Sequence, residues 1–183
     1  MSSVFDLQWQ KCSPCQGTGP IERSSHGMSV ISDTLYIFGG ENTARIPIDS
    51  SMYVIKLSQD EGEKCLPTWR KIEPSSNSPV PRIAHSQAVI GDRIYIFGGR
   101  QGITMEESPL NDLHYFDVRT ETWTEVQPKK GSVPSPRSFH QMVSIDTSLF
   151  VFGGCGNDGR MSDLYEFNTT DGTWTVLSNV SYQ

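Results

Sequence analysis

The sequence predicts an all-β fold: a partial, open propeller of three four-stranded antiparallel blades, plus one extra N-terminal strand. An apolar hexapeptide ending in two glycines occurs three times, at residues 35–40, 94–99 and 149–154. A spacing of about fifty residues is typical of a propeller blade. No segment shows the periodicity of a helix, so the units between these hexapeptides are predicted to be strands and turns.

Each unit carries the same features in the same order. An Arg-x-x-His motif opens the unit, a tyrosine close to a leucine or methionine lies in its middle, and a tryptophan closes it. The opening pairs are Arg23 and His26, Arg82 and His85, and Arg137 and His140; the closing residues are Trp69, Trp123 and Trp174. We therefore predict a single domain over residues 1–183, with blades at 23–73, 82–127 and 137–177.

The strands follow from local patterns. Residues 5–11 alternate apolar and polar side chains, which predicts a half-buried extra strand. The second strand of each unit is apolar throughout, so we expect it to be buried on both faces, and the two glycines after it let the chain leave the strand. The predicted strands are 26–31, 35–38, 52–57 and 68–72; 85–90, 94–97, 113–118 and 122–126; 141–145, 149–152, 164–168 and 173–177.

The number of strands does not close a ring. Three blades are fewer than the four to eight of closed propellers, and the strand around Trp9 has no partner blade. We expect the chain to be the N-terminal half of a longer propeller. If it is the whole product, its open blade edges predict self-association.

Composition excludes several functions. The net charge is −6 and no basic run occurs, which disfavours nucleic-acid binding. No apolar stretch is long enough to span a bilayer, and residues 1–10 lack the apolar region of a secretory signal, so we expect no membrane association and a cytoplasmic location.

Blade topology predicts a candidate binding site. The connections from strand four to strand one and from strand two to strand three emerge on the same face of a blade. The residues expected at this propeller mouth are Arg23, Arg82, Arg137, Glu41 and Arg100. Guanidinium groups suit an anionic small molecule, whereas a residue repeated in every blade also suits a structural role, and the sequence leaves both open.

We expect no metal site and no catalytic residues in this chain. The three histidines occur one per blade, so they are spread around a ring instead of converging on one point. The sequence also lacks a Ser-His-Asp or Cys-His pair and a phosphate-binding loop.

The recurring order of motifs resembles the kelch repeat. Several runs are also similar to the plant nitrile-specifier and epithiospecifier proteins and their kelch relatives. The runs that carry this likeness are residues 23–27, 38–41, 46–49, 95–100, 136–140 and 152–160.

The resemblance implies a propeller that uses ferrous iron to direct the breakdown of glucosinolate aglucones to nitriles. It implies that Glu41, Arg82 and Arg137 are substrate-pocket residues, with the arginines holding the sulfate. The iron ligands of that family form a Glu-x-x-x-Asp-x-x-x-His run, which this sequence lacks. We therefore expect no cofactor in this chain, and Fe²⁺ only in a full-length propeller.

The sequence thus favours a kelch-repeat binding module that takes a protein partner or an anionic small molecule at the mouth. The alternative is a specifier-type, iron-dependent, lyase-like protein that lacks the blade with the iron ligands. Iron content and turnover of an aglucone would distinguish the two.

Overall fold

The computed structural model describes residues 15–57, 66–102 and 109–178. All regular structure in these residues is β, and three sheets each contain four consecutive antiparallel strands. The predicted fold class is therefore confirmed. The predicted strand at residues 5–11 lies outside the described residues.

The strands are β1 (Gln16–Gly17); β2 (Gly27–Ile31), β3 (Thr34–Phe38), β4 (Glu41–Thr43), β5 (Ile46–Pro47), β6 (Met52–Lys56) and β7 (Thr68–Ile72) of blade one; β8 (Ser86–Ile90), β9 (Arg93–Gly99), β10 (Leu110–Asp117) and β11 (Thr122–Glu125) of blade two; and β12 (Gln141–Ile145), β13 (Ser148–Gly156), β14 (Gly159–Asn168) and β15 (Thr173–Ser178) of blade three. The sheet orders are β1-β7-β6-β3-β2, β11-β10-β9-β8 and β12-β13-β14-β15, with β4 and β5 as a separate pair.

Two regions are more extended than the sequence predicts. The segment after Gly40, expected to be a polar loop, contains the short antiparallel pair β4 and β5. In blade three, the strands expected to end at residue 152 and begin at residue 164 continue to a hairpin in which Gly156 pairs with Gly159. The continuation is possible because Gly153 and Gly154, with φ of +65° and +100°, lie at a register shift and do not end the strand.

The first core cluster lies between blades one and two. Blade one contributes the buried face of β3 and β6, and blade two contributes the facing side of β9, β10 and β11. Its buried members are Tyr36, Phe38, Met52, Val54, Ile94, Ile96, Phe116 and Trp123. Neighbouring blades therefore cover each other's apolar faces, as in other stacked repeats.

The second cluster lies between blades two and three and uses the other face of β9. Its buried members are Ala88, Tyr95, Phe97, Leu113, Met142, Leu149, Val151, Phe167 and Trp174. Because Ile94 and Ile96 belong to one cluster and Tyr95 and Phe97 to the other, β9 is buried on both faces, as predicted.

The outer faces of the first and third blades carry exposed apolar side chains. Met28 and Val30 of blade one are 60% and 52% exposed, and Val143, Ile145 and Phe152 of blade three are 53–59% exposed. Phe152 corresponds to Phe38 and Phe97, which are fully buried. The difference arises because no described blade follows blade three.

In blades one and two, the first glycine of the Gly-Gly pair allows the next blade to approach. Gly98 has a φ of +59°, and a Cβ on it would lie 2.7 Å from the carbonyl oxygen of Arg137 in the next blade. Gly153 has a similar φ of +65°, but its nearest neighbour would be the Met161 carbonyl at 3.1 Å in its own blade.

This pair of glycines gives a matched test of blade packing. We expect Gly98→Ala to lower the free energy of unfolding by roughly 2–4 kcal/mol, because it adds an inter-blade clash to the backbone strain. Gly153→Ala should cost only about 1–2 kcal/mol, since it adds the strain alone. Urea unfolding followed by tryptophan fluorescence measures both, and equal losses would contradict the inter-blade role of Gly98.

Candidate functional site at the propeller mouth

The repeated arginines of blades two and three are fully buried. Arg82 donates from Nη1 and Nη2 to the two carboxylate oxygens of Asp112, each at 2.7 Å, and Nη1 also donates to the Gly98 carbonyl at 2.9 Å. Arg137 makes the same contacts with Asp163, at 2.6 and 3.0 Å, and with the Gly153 carbonyl at 3.0 Å. Both side chains are 0% exposed.

Each buried guanidinium therefore joins three strands of its own blade. The arginine precedes the innermost strand, the carbonyl belongs to the second strand, and the aspartate belongs to the third. Of the two roles that the sequence leaves open for Arg82 and Arg137, this placement favours the structural one. The guanidinium of Arg82 holds the pKa of the Asp112 carboxyl below its usual range against the opposing effect of burial.

The partners Asp112 and Asp163 were not among the predicted site residues. The available signal was an Asp-Leu dipeptide at 112–113 and again at 163–164, with the aspartate in each case one residue before the predicted start of the third strand. Blade one has Ser51-Met52 at this place, so its arginine lacks the carboxylate partner.

Arg23 is accordingly held differently from the other two arginines. Its Nη1 donates to the Gly39 carbonyl at 2.9 Å, and its guanidinium lies 4.7 Å from the centre of the Tyr53 ring. Its Nη2 is buried and has no hydrogen-bond partner among the described residues. Arg23 does not line the mouth cavity described below.

The repeated histidines pack between blades. His85 meets the Phe38 ring edge-on, with centroids 5.7 Å apart, and His140 meets Phe97 in the same way at 5.3 Å. Burial lowers the pKa of His85 to about 3 and that of His140 to about 4, so both rings are neutral at pH 7. Ser86 Oγ and His140 Nε2 share a hydrogen bond of 2.5 Å.

The residues that follow each Gly-Gly pair lie beside the opening arginines at the mouth. Backbone bridges join Glu41 to Ser24, Arg100 to Ile83, and Cys155 to Ser138. It is the backbone of the arginine segments that reaches the mouth in blades two and three, because the Arg82 and Arg137 side chains point into their blades.

A cavity of about 300 Å³ lies at the mouth where the three blades meet. It is lined by Glu41, Ala44, Arg45, Ile83, Arg100, Gly102 and Phe139. One oxygen of the Glu41 carboxylate accepts a hydrogen bond from Ser25 Oγ at 3.1 Å, and the other accepts one from the Arg45 amide. Glu41 is therefore already engaged by donors of its own blade.

Arg100 has unused donor capacity in this cavity. Its backbone is fixed, because its N–H and C=O both bond to Ile83 at 2.9 Å. The Nε atom of its half-buried side chain is enclosed and makes no hydrogen bond to any described residue. A buried donor without a partner is costly, and an incoming acceptor would remove that cost.

The backbone at the edge of the mouth cavity, which we call the rim, has an unusual conformation. Ser25, Ala84 and Phe139 occupy equivalent places, two residues after each arginine, and have φ between +52° and +58°. The Ala84 amide donates to the Ser25 carbonyl, and the Phe139 amide donates to the Ala84 carbonyl, each at 2.9 Å. This chain of hydrogen bonds across the blades fixes the exposed Phe139 ring at the cavity.

Comparison with known families agrees with this architecture. Residues 67–183 match the family model described as the KLHDC2/KLHL20/DRC7 Kelch-repeats domain. The chain belongs to the kelch-repeat family. The solved structure of YjhT matches this kelch chain with a TM-score of 0.68 and 17% identity, over 90% of this chain and 54% of that one.

Curated kelch relatives have different functions in their names. The chain is 30% identical to N-(sulfonatooxy)prop-2-enimidothioate sulfolyase of Thlaspi arvense, over 97% of this chain and 50% of the relative. It is 34% identical to the human Rab9 effector protein with kelch motifs, over 86% of this chain and 40% of the relative. It is 32% identical to human leucine-zipper-like transcriptional regulator 1, over 88% and 19%. The kelch chain thus spans half or less of these relatives' length.

The specifier resemblance implies an iron site, which needs several metal-ligating side chains close together. Within residues 15–57, 66–102 and 109–178, no three His, Cys, Asp or Glu side chains lie close enough together to hold a metal ion. This part of the chain therefore does not fit the iron site that the specifier resemblance implies. A search of the same residues finds no helix long and apolar enough to cross a membrane.

Proposed function

We propose that this kelch chain is a binding module whose mouth cavity takes an anionic group, carried by a protein partner or by a small molecule. The observation that carries the proposal is the enclosed Nε of Arg100, which has no partner among the described residues, in a cavity of about 300 Å³. A guanidinium in such a place binds a carboxylate or sulfate through charge-assisted hydrogen bonds.

The other lining residues favour a ligand in which a small anionic group is attached to an apolar part. Ile83 and the exposed ring of Phe139 give the cavity an apolar side, and Arg45 adds a second guanidinium near the rim. Glu41 orients this rim by accepting from Ser25 and Arg45, which assigns it a positioning role. Arg23, Arg82 and Arg137 act indirectly in this proposal, since they hold the blades that present the cavity.

Inorganic sulfate is the probe that tests this site. We expect calorimetric titration to show saturable binding, and Arg100→Gln to weaken it at least tenfold, because a hydrogen bond to a charged group contributes about 1.5–3 kcal/mol. Arg119→Gln is the matched control, since Arg119 is an exposed arginine in a turn outside the mouth cavity that pairs with Asp92. If both variants weaken sulfate binding equally, the effect is one of general charge and the proposal is wrong.

A specifier-type activity is the second candidate. The observation that favours it is the likeness to a sulfolyase over 97% of this chain, because that relative's name describes a substrate bearing a sulfonatooxy group, which is anionic. The described residues do not fit an iron site, so binding without turnover remains our first proposal. Iron-dependent release of a nitrile from an aglucone, above the uncatalysed rate, would reverse this order.

A further inference from the structure

The linkers that precede blades one and three each pair with the outermost strand of the blade that follows. Gln16 and Gly17 of β1 run parallel to Thr68 and Trp69 of β7. In blade three, Lys130 forms a parallel bridge with Thr173, and the Trp174 amide donates to the Lys130 carbonyl at 3.1 Å. A strip of linker thus covers the outer edge in both blades.

A glycine is required at the centre of each strip. Gly17 and Gly131 both lie six residues before the opening arginine, with φ of +79° and +81°. A Cβ at these places would lie 2.2 Å from the Trp69 carbonyl oxygen and 1.8 Å from that of Trp174. Any side chain here would push the linker off the tryptophan strand.

Blade two has Ser76 at the corresponding place, six residues before Arg82. Its linker does not pair with β11. It turns on itself instead: the Ser78 amide donates to the Ser75 carbonyl at 3.1 Å, and the Ser75 amide donates to Ser78 Oγ at 2.9 Å. The outer edge of β11 therefore has no strand neighbour among the described residues.

A cavity of about 480 Å³ lies between this linker and β11. Ser76, Asn77, Trp123 and Glu125 are among its lining residues, as are Asp112 and His114. Glu125 is exposed and gives the cavity an acidic side. The cavity occupies the place that the strips containing Gly17 and Lys130-Gly131 fill in the other two blades.

We propose that the outer edge of β11 binds an extended segment of a partner protein, paired in parallel with Thr122–Glu125, with a glycine facing the Trp123 carbonyl and a basic residue beside Glu125. An unpaired strand edge is a template for an added strand, and the main chain supplies the affinity in such complexes. The glycine follows from the geometry of blades one and three, and the basic residue from the charge of Glu125.

The experiment uses the whole chain and a synthetic peptide, Gln-Pro-Lys-Lys-Gly-Ser-Lys-Pro. The peptide reproduces residues 127–134, the strip of blade three, except that lysine replaces Val133, which is the place beside Glu125 when the glycine faces Trp123. We expect amide chemical shifts of Trp123 and Thr124 to move on titration. Replacing the peptide's glycine with alanine should reduce its affinity at least tenfold, because the added Cβ meets the carbonyl oxygen of Trp123.

A matched pair of protein variants tests the edge itself. Ser76→Gly should let the chain's own linker pair with β11, so peptide affinity falls at least tenfold and the Trp123 amide becomes protected from hydrogen exchange. Ser76→Ala keeps a Cβ and should bind like the parent chain, as should Arg100→Gln. Three results would overturn the proposal. They are no chemical-shift change at Trp123, peptide binding by Ser76→Gly as tight as by the parent chain, or a Trp123 amide already protected in the free chain because another of its segments pairs with β11.

Discussion

Replacing Asp163 with alanine should lower the free energy of unfolding by about 3–5 kcal/mol, the largest effect that we expect from a single substitution. The change leaves the Arg137 guanidinium, which is 0% exposed, without the carboxylate that accepts two of its hydrogen bonds. An uncompensated buried charge costs far more than the loss of an exposed pair. Urea unfolding followed by tryptophan fluorescence measures the change.

Two further variants distinguish the cost of an unpaired buried charge from the cost of losing an ion pair at the surface. Glu73→Ala breaks the exposed pair with Lys71 and should leave the urea midpoint almost unchanged. The double variant Arg137→Leu with Asp163→Leu removes both charges, so it should recover much of the loss seen in Asp163→Ala. A loss below about 1 kcal/mol in Asp163→Ala would mean that Arg137 finds another partner or reaches water.

Acidification from pH 6.5 to pH 4 should destabilise the fold by several kcal/mol, the second large effect. The pKa values of His85 and His140 are lowered to about 3 and about 4 in the folded state, against an ordinary value of 6.5. Between these values the unfolded chain binds more protons than the folded chain, so stability is present above pH 6.5 and is lost as the pH falls. Each histidine contributes a slope of about 1.4 kcal/mol per pH unit.

Unfolding midpoints in urea at pH 7.5, 6.0, 5.0 and 4.5 measure this slope. His140→Gln should reduce the slope by about half, whatever its effect on stability at pH 7.5, because one of the two titrating rings is gone. His26→Gln is the comparison variant, because partial burial also lowers the pKa of this exposed ring, but by less than in the two buried rings, so its loss should change the slope less than the loss of His140. An unchanged slope in His140→Gln would show that other groups cause the acid sensitivity.

The blade strands were predictable because local pattern and tertiary environment agree. The apolar run ending in Phe97-Gly98-Gly99 needs cover on both faces, and the repeat supplies a neighbour for each. The positive φ of the glycines likewise follows from chain geometry at the strand end. Such features depend on short stretches of sequence, and the sequence displays them three times.

The buried ion pairs and the free edge were harder to predict. Arg82 and Asp112 are thirty residues apart, and their contact depends on how three strands align, which no local pattern specifies. The edge of β11 beside Trp123 lacks a strand neighbour among the described residues because Ser76 stands in place of glycine. This departure is recognisable only when Gly17 and Gly131 are seen in contact with their tryptophan strands. The ion pairs were also hard to predict because an arginine that recurs in every blade suits a structural role as well as ligand binding.

The mouth site is tested most directly by the arginine Nε–Hε signals in an NMR spectrum recorded during titration with sulfate. The Arg100 signal should shift in proportion to occupancy, because its Nε is enclosed and has no hydrogen-bond partner in the part of the chain that the structure describes. The signals of Arg82 and Arg137 should stay in place, since both guanidinium groups are held by aspartates. Shifts of the Arg82 and Arg137 signals with an unchanged Arg100 signal would contradict the proposed site. They would indicate that sulfate binds at the repeated arginines.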